Sequence, residues 1–242
     1  MRTDDGAPYA RLIGGLVNVF AVAAQDGLTL VDAGTKGSLA RLQRGLTACG
    51  WSLDDVRRVF VTHAHADHVG SLAALVDVSA AQVIAHRLEA PFVRGGGRTP
   101  RPEHRSLRWP DRLMARLPEP PAAGVPVDRC VEEDDVLDDV APGARVVHLP
   151  GHTPGQAGLW LPRERVLFGG DVALRLLPWR LSLPFAAFTT DMAAAIASIE
   201  RAAALEPDHL ALGHGPPLDA RAGSWLWRLA TAQGADLPPR SA

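Results

Sequence analysis

Apolar positions along the chain fall into short runs, separated by stretches in which they recur every three or four residues. The short runs are "LVNVFAVA" (16–23), "GLTLVDAG" (27–34), "VRRVFVTH" (56–63), "AQVIAH" (81–86), "ARVVHLPGH" (144–152), "GLWLPRERVLFGGD" (158–171) and "DHLALGH" (208–214). Their length, β-branched content and flanking glycines predict strands. The longer periodic stretches predict helices over 38–49, 70–77, 191–205 and 223–233. The third has Thr190 or Asp191 as its N-cap and is stopped by Pro207. Strands that alternate with helices in this way are the pattern of an α/β protein.

Two stretches break the pattern. Residues 94–126, "RGGGRTPRPEHRSLRWPDRLMARLPEPPAAGVP", are rich in arginine, proline and glycine and too long for an ordinary loop. A short helix is expected around 111–117. Strand-like sequence resumes on both sides, so the segment reads as an insertion in a single domain over 1–242. The second stretch, 174–188, is apolar but irregular, with Pro178, Trp179, Pro184, Phe185 and Phe188. It lies just past a candidate ligand, where Trp179, Phe185 and Phe188 are placed to wall a substrate pocket.

Residues 11–24, "RLIGGLVNVFAVAA", end like a cleavable leader, but Asp4 and Asp5 spoil the basic start and the apolar run continues into the next strand. A β-hairpin turning at Asp26-Gly27 accounts for it better, and a cytoplasmic protein is expected. No apolar run reaches the roughly 20 residues of a membrane span.

Composition adds exclusions. With 242 residues, 47% of them hydrophobic and 21% charged, the chain can bury a large core and is not disordered. A net charge of -2 gives no basic footprint, so neither a nucleic-acid nor a membrane partner is expected. A small-molecule substrate is. Cys49 and Cys130 have no redox or zinc spacing, consistent with a reducing compartment. The oligomeric state stays open, a homodimer included.

The chemistry lies at the ends of the strand-like runs. "VFVTH" leads into His63-x-His65-x-Asp67-His68, "RVVHLPGH" ends in His152, "RVLFGGD" in Asp171, "HLALGH" in His214 and "LTLVDAG" in Asp32. In α/β proteins functional side chains gather at the carboxyl ends of strands. Imidazoles and carboxylates suit zinc, iron or manganese better than calcium. Beyond Asp32, seven such groups are too many for one tetrahedral ion. Shared between two ions, with Asp171 bridging, they leave each ion an open position for water, as a catalytic site requires. Two such ions bind a bridging hydroxide at neutral pH and stabilise a developing oxyanion.

"LVDAG", "THAHADH", "LPGHTPG", "LFGGD" and "LGHG", in this order, resemble the motifs of the metallo-β-lactamase superfamily over about 17–217. The resemblance implies a four-layer αββα sandwich with a binuclear site at one edge. It places His63, His65 and His152 on the first ion and Asp67, His68 and His214 on the second, with Asp171 between them. Asp32 would brace the ligand loop. Two divalent ions are implied, zinc first, with iron or manganese as alternatives. The hydroxide, positioned by Asp67 as the catalytic residue, would attack a thioester, ester or lactone carbonyl.

Departures from the family narrow the branch. The bridging Asp171 resembles glyoxalase II and lactonases and argues against a true β-lactamase. Glyoxalase II adds a helical domain with lysine and tyrosine contacts, yet Lys36 is the only lysine here and Tyr9 the only tyrosine. The tyrosine found just past the aspartate in lactonases is missing. Two alternatives in the same fold are a mononuclear iron persulfide dioxygenase and a phosphodiesterase or RNA-processing nuclease. Arg101, Arg105, Arg108, Arg112 and Arg116 recur at helical spacing and are read as a solvated face rather than a basic rim. His86 and His148 read as structural, and His104 and His209 as surface residues.

Overall fold

The computed structural model describes residues 9–97, 99–102, 107–116 and 122–234. In chain order the strands are β1 (Ala10–Ile13), β2 (Val19–Ala24), β3 (Gly27–Val31), β4 (Val56–Val61), β5 (Gln82–His86), β6 (Arg129–Val131), β7 (Arg145–His148), β8 (Ala157–Leu161), β9 (Val166–Gly170), β10 (Leu174–Leu177), β11 (Arg180–Ser182) and β12 (His209–Leu212). The helices are α1 (Leu39–Ala48), α2 (Ala66–Val69), α3 (Leu72–Ser79), α4 (Ala90–Arg94), α5 (Trp109–Met114), α6 (Met192–Ala204) and α7 (Ala222–Thr231).

One sheet has the order β1-β2-β3-β4-β5-β6, another β12-β9-β8-β7, and β10 pairs β11 alone. From β3 to β6 the first sheet is parallel, and β12 runs parallel to β9. The ends of β3 and β4 in one sheet, and of β7, β9 and β12 in the other, supply the loops of one edge.

Strand side chains alternate between faces, and here both faces are covered. In β2, Val19 and Ala21 face one core while Phe20 and Val22 face another. In β9, Val166 and Phe168 join the inter-sheet core, while Leu167 points to the opposite side. The layer between the sheets holds Phe20, Phe60, Ile84, Leu159 and Phe168, with Tyr9 edge-on to Phe20 and Phe168 at 5.6 and 5.3 Å. The outer face of the first sheet meets Leu42, Leu46, Leu72 and Leu75 of α1 and α3. That of the second meets Ile199, Ala202, Leu226 and Leu229 of α6 and α7. The result is the four-layer αββα sandwich. Phe60 and Phe168 are wholly buried at its centre, and truncating either to alanine costs about 3–5 kcal/mol.

Local expectations hold with shifts at the boundaries. β2 and β3 form the hairpin expected at Asp26-Gly27, with Ala24 opposite Gly27. Asp191 caps α6, its Oδ1 accepting from the Ala194 N–H at 3.0 Å. That helix ends at Ala204, ahead of Pro207, because Glu206 turns into the left-handed region at φ 50°. "GLWLPRERVLFGGD" is two strands, β8 and β9, joined by a turn with Arg165 at φ 53°.

Within 94–126, α5 begins earlier than expected, at Trp109, because Pro110 in the first turn starts a helix rather than breaking one. Among the described residues, Arg101, Arg108 and Arg112 share no helical face. Arg108 precedes α5, while Arg112 and Arg101 donate to the Leu107 and Ala115 carbonyls at 2.7 and 2.5 Å. Arg105 and His104 lie outside the described residues. Among the described residues no helix is long and apolar enough to cross a membrane.

Candidate metal centre

β4 runs through Thr62 to His63. His65 then sits at the N-terminus of α2, where its carbonyl accepts from the His68 and Val69 N–H groups at 2.8 and 3.0 Å. This one turn swings Asp67 and His68 back over the strand end. β7 continues through Leu149 and Pro150 to Gly151, whose φ is 129°, and then His152. A Cβ on Gly151 would lie 2.1 Å from the Ala195 backbone nitrogen, so only glycine lets α6 dock here. Asp171 follows β9, and His214 follows β12 after Gly213. A Cβ on Gly213 would lie 2.3 Å from Asp171 Oδ1 and 2.5 Å from His68 Cε1.

The structure brings all seven predicted residues together. The ligand-type atoms of His63, His65 and His152 lie within 4.8 Å of one another, as do those of Asp67, His68 and His214, and those of His63, His68 and Asp171. Asp171 Oδ2 is 3.6 Å from His152 Nε2 and 3.1 Å from His214 Nε2, and Oδ1 is 3.6 Å from His68 Nε2. Its carboxyl group therefore stands between the two trios. Asp67 Oδ2 is 3.3 Å from His214 Nε2, and Asp67 is the most exposed carboxylate of the set at 37% of its side chain.

Hydrogen bonds on the far side of each ring decide which nitrogen faces inward. Thr62 Oγ1 donates to Asp32, leaving its lone pair for the His63 Nδ1–H at 3.1 Å. Thr189 Oγ1 donates to the Phe185 carbonyl and accepts from the His152 Nδ1–H at 3.1 Å. His68 Nδ1 donates to Asp32 Oδ2 at 2.7 Å, and His214 Nδ1 donates to the Leu16 carbonyl. Each ring thus turns an Nε2 lone pair toward the others. His63, His68 and His152 Nε2, with Asp171 Oδ1, are buried and have no hydrogen-bond partner. Leaving four such atoms unmet costs about 1–3 kcal/mol each. With His68 deprotonated, as a metal ligand must be, these are four converging acceptor atoms, a donor set that fits divalent cations.

The two trios differ electrically. Burial, with the neighbouring imidazoles, holds His63 well below the ordinary histidine range. For His152 burial outweighs the pull of Asp171 and leaves it at about 4. These rings are neutral, the form that binds metal. In the second trio burial works against charge, but the carboxylates win. Asp67, Asp32 and Asp171 raise His68 to about 9, and Asp171 and Asp67 raise His214 to about 11. Burial pushes Asp171 up, but His214 and His68 bring it down to about 2. This half attracts positive charge.

Asp32 stands where the sequence puts it. It is 2% exposed, at φ 63°, and also accepts from the Thr62 N–H at 2.8 Å. Sequence reasoning missed Glu89 and Gln156. Glu89 is 0% exposed; its Oε1 accepts from the Ala64 N–H at 2.8 Å, and its Oε2 from Thr153 Oγ1 and the Gly155 N–H, both at 2.9 Å. Burial raises its carboxyl group to about 7. Gln156 Oε1 accepts from the Asp171 N–H at 3.2 Å. An acidic residue just after a buried strand, in "HRLEAPF", was the available signal for Glu89.

The remaining residues lie around this centre. Phe185 touches it through its carbonyl, which holds Thr189 behind His152. Phe188 packs with Leu107, Ala115 and Ala187 under α5. Trp179, 69% exposed, is at the tip of the β10–β11 hairpin and lines a different hollow with Trp225 and Arg228. Tyr9 donates to Asp219 Oδ1 from the inter-sheet core. His86 and His148 stack at 4.1 Å, and His148 Nε2 is 3.0 Å from the Pro154 carbonyl, a structural contact beneath the His152 loop. His209 is half-buried beside Asp219 rather than on the open surface.

The sequence model of the metallo-beta-lactamase superfamily matches residues 12–214. A probable metallo-hydrolase, YflN of Bacillus subtilis (strain 168), is 28% identical over 247 residues, covering 91% of this chain and 90% of that protein. A hydroxyacylglutathione hydrolase of Ruegeria pomeroyi is 31% identical over 147 residues, 61% of this chain but only 43% of that one. Among solved structures, TTHA1623 in a di-iron-bound form aligns with a TM-score of 0.58 at 30% identity, over 85% of this chain and 91% of that chain.

Proposed function

The chain belongs to the metallo-β-lactamase superfamily, and from that premise we propose that it is a binuclear hydrolase of the glyoxalase II-like and lactonase-like branch, acting on a thioester, ester or lactone carbonyl. The observation that carries this reading is the gathering of the buried, unpartnered Nε2 atoms of His63, His68 and His152 with Asp171 Oδ1, where two trios of ligand-type residues meet. His63, His65 and His152 would hold one divalent ion, and Asp67, His68 and His214 the other, with Asp171 shared. Ions so held supply Lewis acidity and lower the pKa of water toward neutrality.

The chain's own residues set the rest. Asp67, the most exposed carboxylate of the cluster, faces the side from which substrate arrives. Its carboxyl group is held below the ordinary range because His68 and His214 outweigh its burial. It therefore stays ionised, so one oxygen could hold the second ion while the other accepts a hydrogen bond from the attacking water and orients it. The ordering of His63, His152 and His68 by Thr62, Thr189 and Asp32 removes the cost of arranging these rings at each turnover. The hydroxyacylglutathione hydrolase relative supports a thioester substrate, and the di-iron form of TTHA1623 supports two ions with iron among them.

The test is metal analysis of the purified protein with turnover of a panel of thioesters, lactones and phosphodiesters, before and after chelation. Two ions per chain and carbonyl hydrolysis that returns on adding zinc, iron or manganese are expected. One iron per chain with oxygen consumption on glutathione persulfide would replace this reading with the dioxygenase, and phosphodiester cleavage alone with the nuclease.

A further inference from the structure

Glu89 is a carboxylate that touches none of the seven candidate ligands, yet it is one of the most completely buried acids in the protein, at 0% exposure. It lies at the start of α4 but makes no cap bond to its own helix. Instead it reaches in two directions. Oε1 takes the N–H of Ala64, the residue between His63 and His65. Oε2 takes the hydroxyl of Thr153, the residue after His152, and the N–H of Gly155. One side chain thereby joins the two loops that carry the first trio.

The chain makes room for this grip. A Cβ on Gly155 would lie 2.4 Å from the Glu89 backbone nitrogen and 2.8 Å from Oε2, so the loop approaches this closely only as glycine. Glu89 makes no ion pair among the described residues, and three hydrogen bonds offset its desolvation. The loops of the second trio have their own support. Asp32 bonds His68 directly, and Asn18 Nδ2 donates to the Leu212 and Gly215 carbonyls on either side of His214, at 2.8 and 2.5 Å. Neither Asp32 nor Asn18 contacts the His152 loop.

We propose that Glu89 is a positioning residue that sets the separation of the His63–His65 and His152 loops, and so governs retention of the ion in the first trio but not in the second. The proposal rests on the binuclear reading above. Its physical content lies in the geometry of the acceptor. A carboxylate offers acceptors in both directions, whereas the amide of Glu89→Gln offers an oxygen in one and a donor in the other. Either orientation of that amide sets an NH2 against at least one N–H or O–H of the two loops, which must then move apart.

The experiment titrates EDTA into the full-length protein loaded with cobalt(II), following ions retained per chain and the visible absorption of each bound ion. In Glu89→Gln one ion should leave at about 10–100-fold lower chelator concentration than in the wild type, the other at an unchanged one. Because Glu89→Gln alone could fail to fold, Thr153→Ala and Thr153→Ser are measured beside it. The first should show the same selective loss at smaller size, and the second should restore wild-type retention by returning the hydroxyl. Equal loss of both ions, or unchanged retention of both, overturns the role of Glu89. A wild-type protein that retains fewer than two ions overturns the binuclear reading itself, and the assignment of Glu89 with it.

Discussion

The two halves of the centre are each organised by a buried carboxylate, and the two carboxylates act at different levels. Asp32 is bonded to a candidate ligand, with its Oδ2 2.7 Å from His68 Nδ1, and through Thr62 it also reaches His63. It fixes the orientation of rings. Glu89 is bonded only to atoms beside the ligands, the Ala64 and Gly155 N–H groups and the Thr153 hydroxyl. It fixes a distance between two stretches of chain. Asp32 works in the acid-rich half, where carboxylates raise His214 to about 11, and Glu89 serves the neutral half, where burial keeps His152 at about 4. A histidine-only trio has no carboxylate of its own to attract a cation. Accurate placement of its three rings has to do more of the binding.

The largest predicted effect removes the distinction altogether. His65→Ala or Asp171→Ala should reduce hydrolysis to background, and chelation of the wild type should do the same, measured as turnover of the best substrate in the panel. Asp32→Asn comes next, with its main loss, about 10–100-fold, in retention of the second-trio ion and a smaller one in the first through Thr62 and His63. If Asp32→Asn and Glu89→Gln weaken mainly the same ion, the division of labour is wrong. Thr189→Ala removes the neutral hydroxyl behind His152, with its bonds to His152 Nδ1 and to the Phe185 carbonyl. It should cost about 0.5–1.5 kcal/mol, a shift of roughly tenfold or less in retention of the first ion.

The smallest effect is a pH slope. Burial raises Glu89 from 4.5 to about 7, so the folded state holds its proton where the unfolded chain has released it. Its contribution to stability is then complete below about pH 4.5 and is lost as pH rises toward 7. In denaturant unfolding of the metal-free protein this adds a downward slope across that window, opposed to the upward slope that the depressed His63 and His152 contribute there. The downward slope should be missing from Glu89→Gln, while a variant at Asp32 should leave it in place.

Most of the centre was legible because each ligand-type residue stands at the end of an apolar run, where period-two burial stops and a glycine or turn begins. Asp32 was legible for the same reason, in "LVDAG". Glu89 was not, since it follows β5 by three residues in a stretch with no glycine. Only the fold brings it against Ala64 and Gly155, 25 and 66 residues away in sequence. The fold class followed from the alternation of strands and helices, but β1, β6, β10 and β11 did not. Each has four residues or fewer, too short to show a period, and none leads into a candidate ligand as the equally short β7 and β12 do. Trp179 shows the limit of reading aromatic residues as pocket walls. An indole in an apolar stretch looks the same whether it faces a substrate or, as here, the tip of a hairpin 69% exposed to solvent.

The order of the loops along the chain has a consequence for biosynthesis. His63, His65 and His152 have all been made once residue 152 has left the ribosome, and Glu89, which joins their loops, precedes His152. The second group waits for His214, which follows β12, and β12 packs alongside β9 as the last strand of its sheet. A nascent chain halted after β9 but before β12 presents β9 with an unpaired edge, together with a complete histidine trio beside Asp67, His68 and Asp171, which still lack His214. Truncated or stalled chains are therefore open to strand-edge association and, on the binuclear reading, to capture of a single ion before the second group is complete.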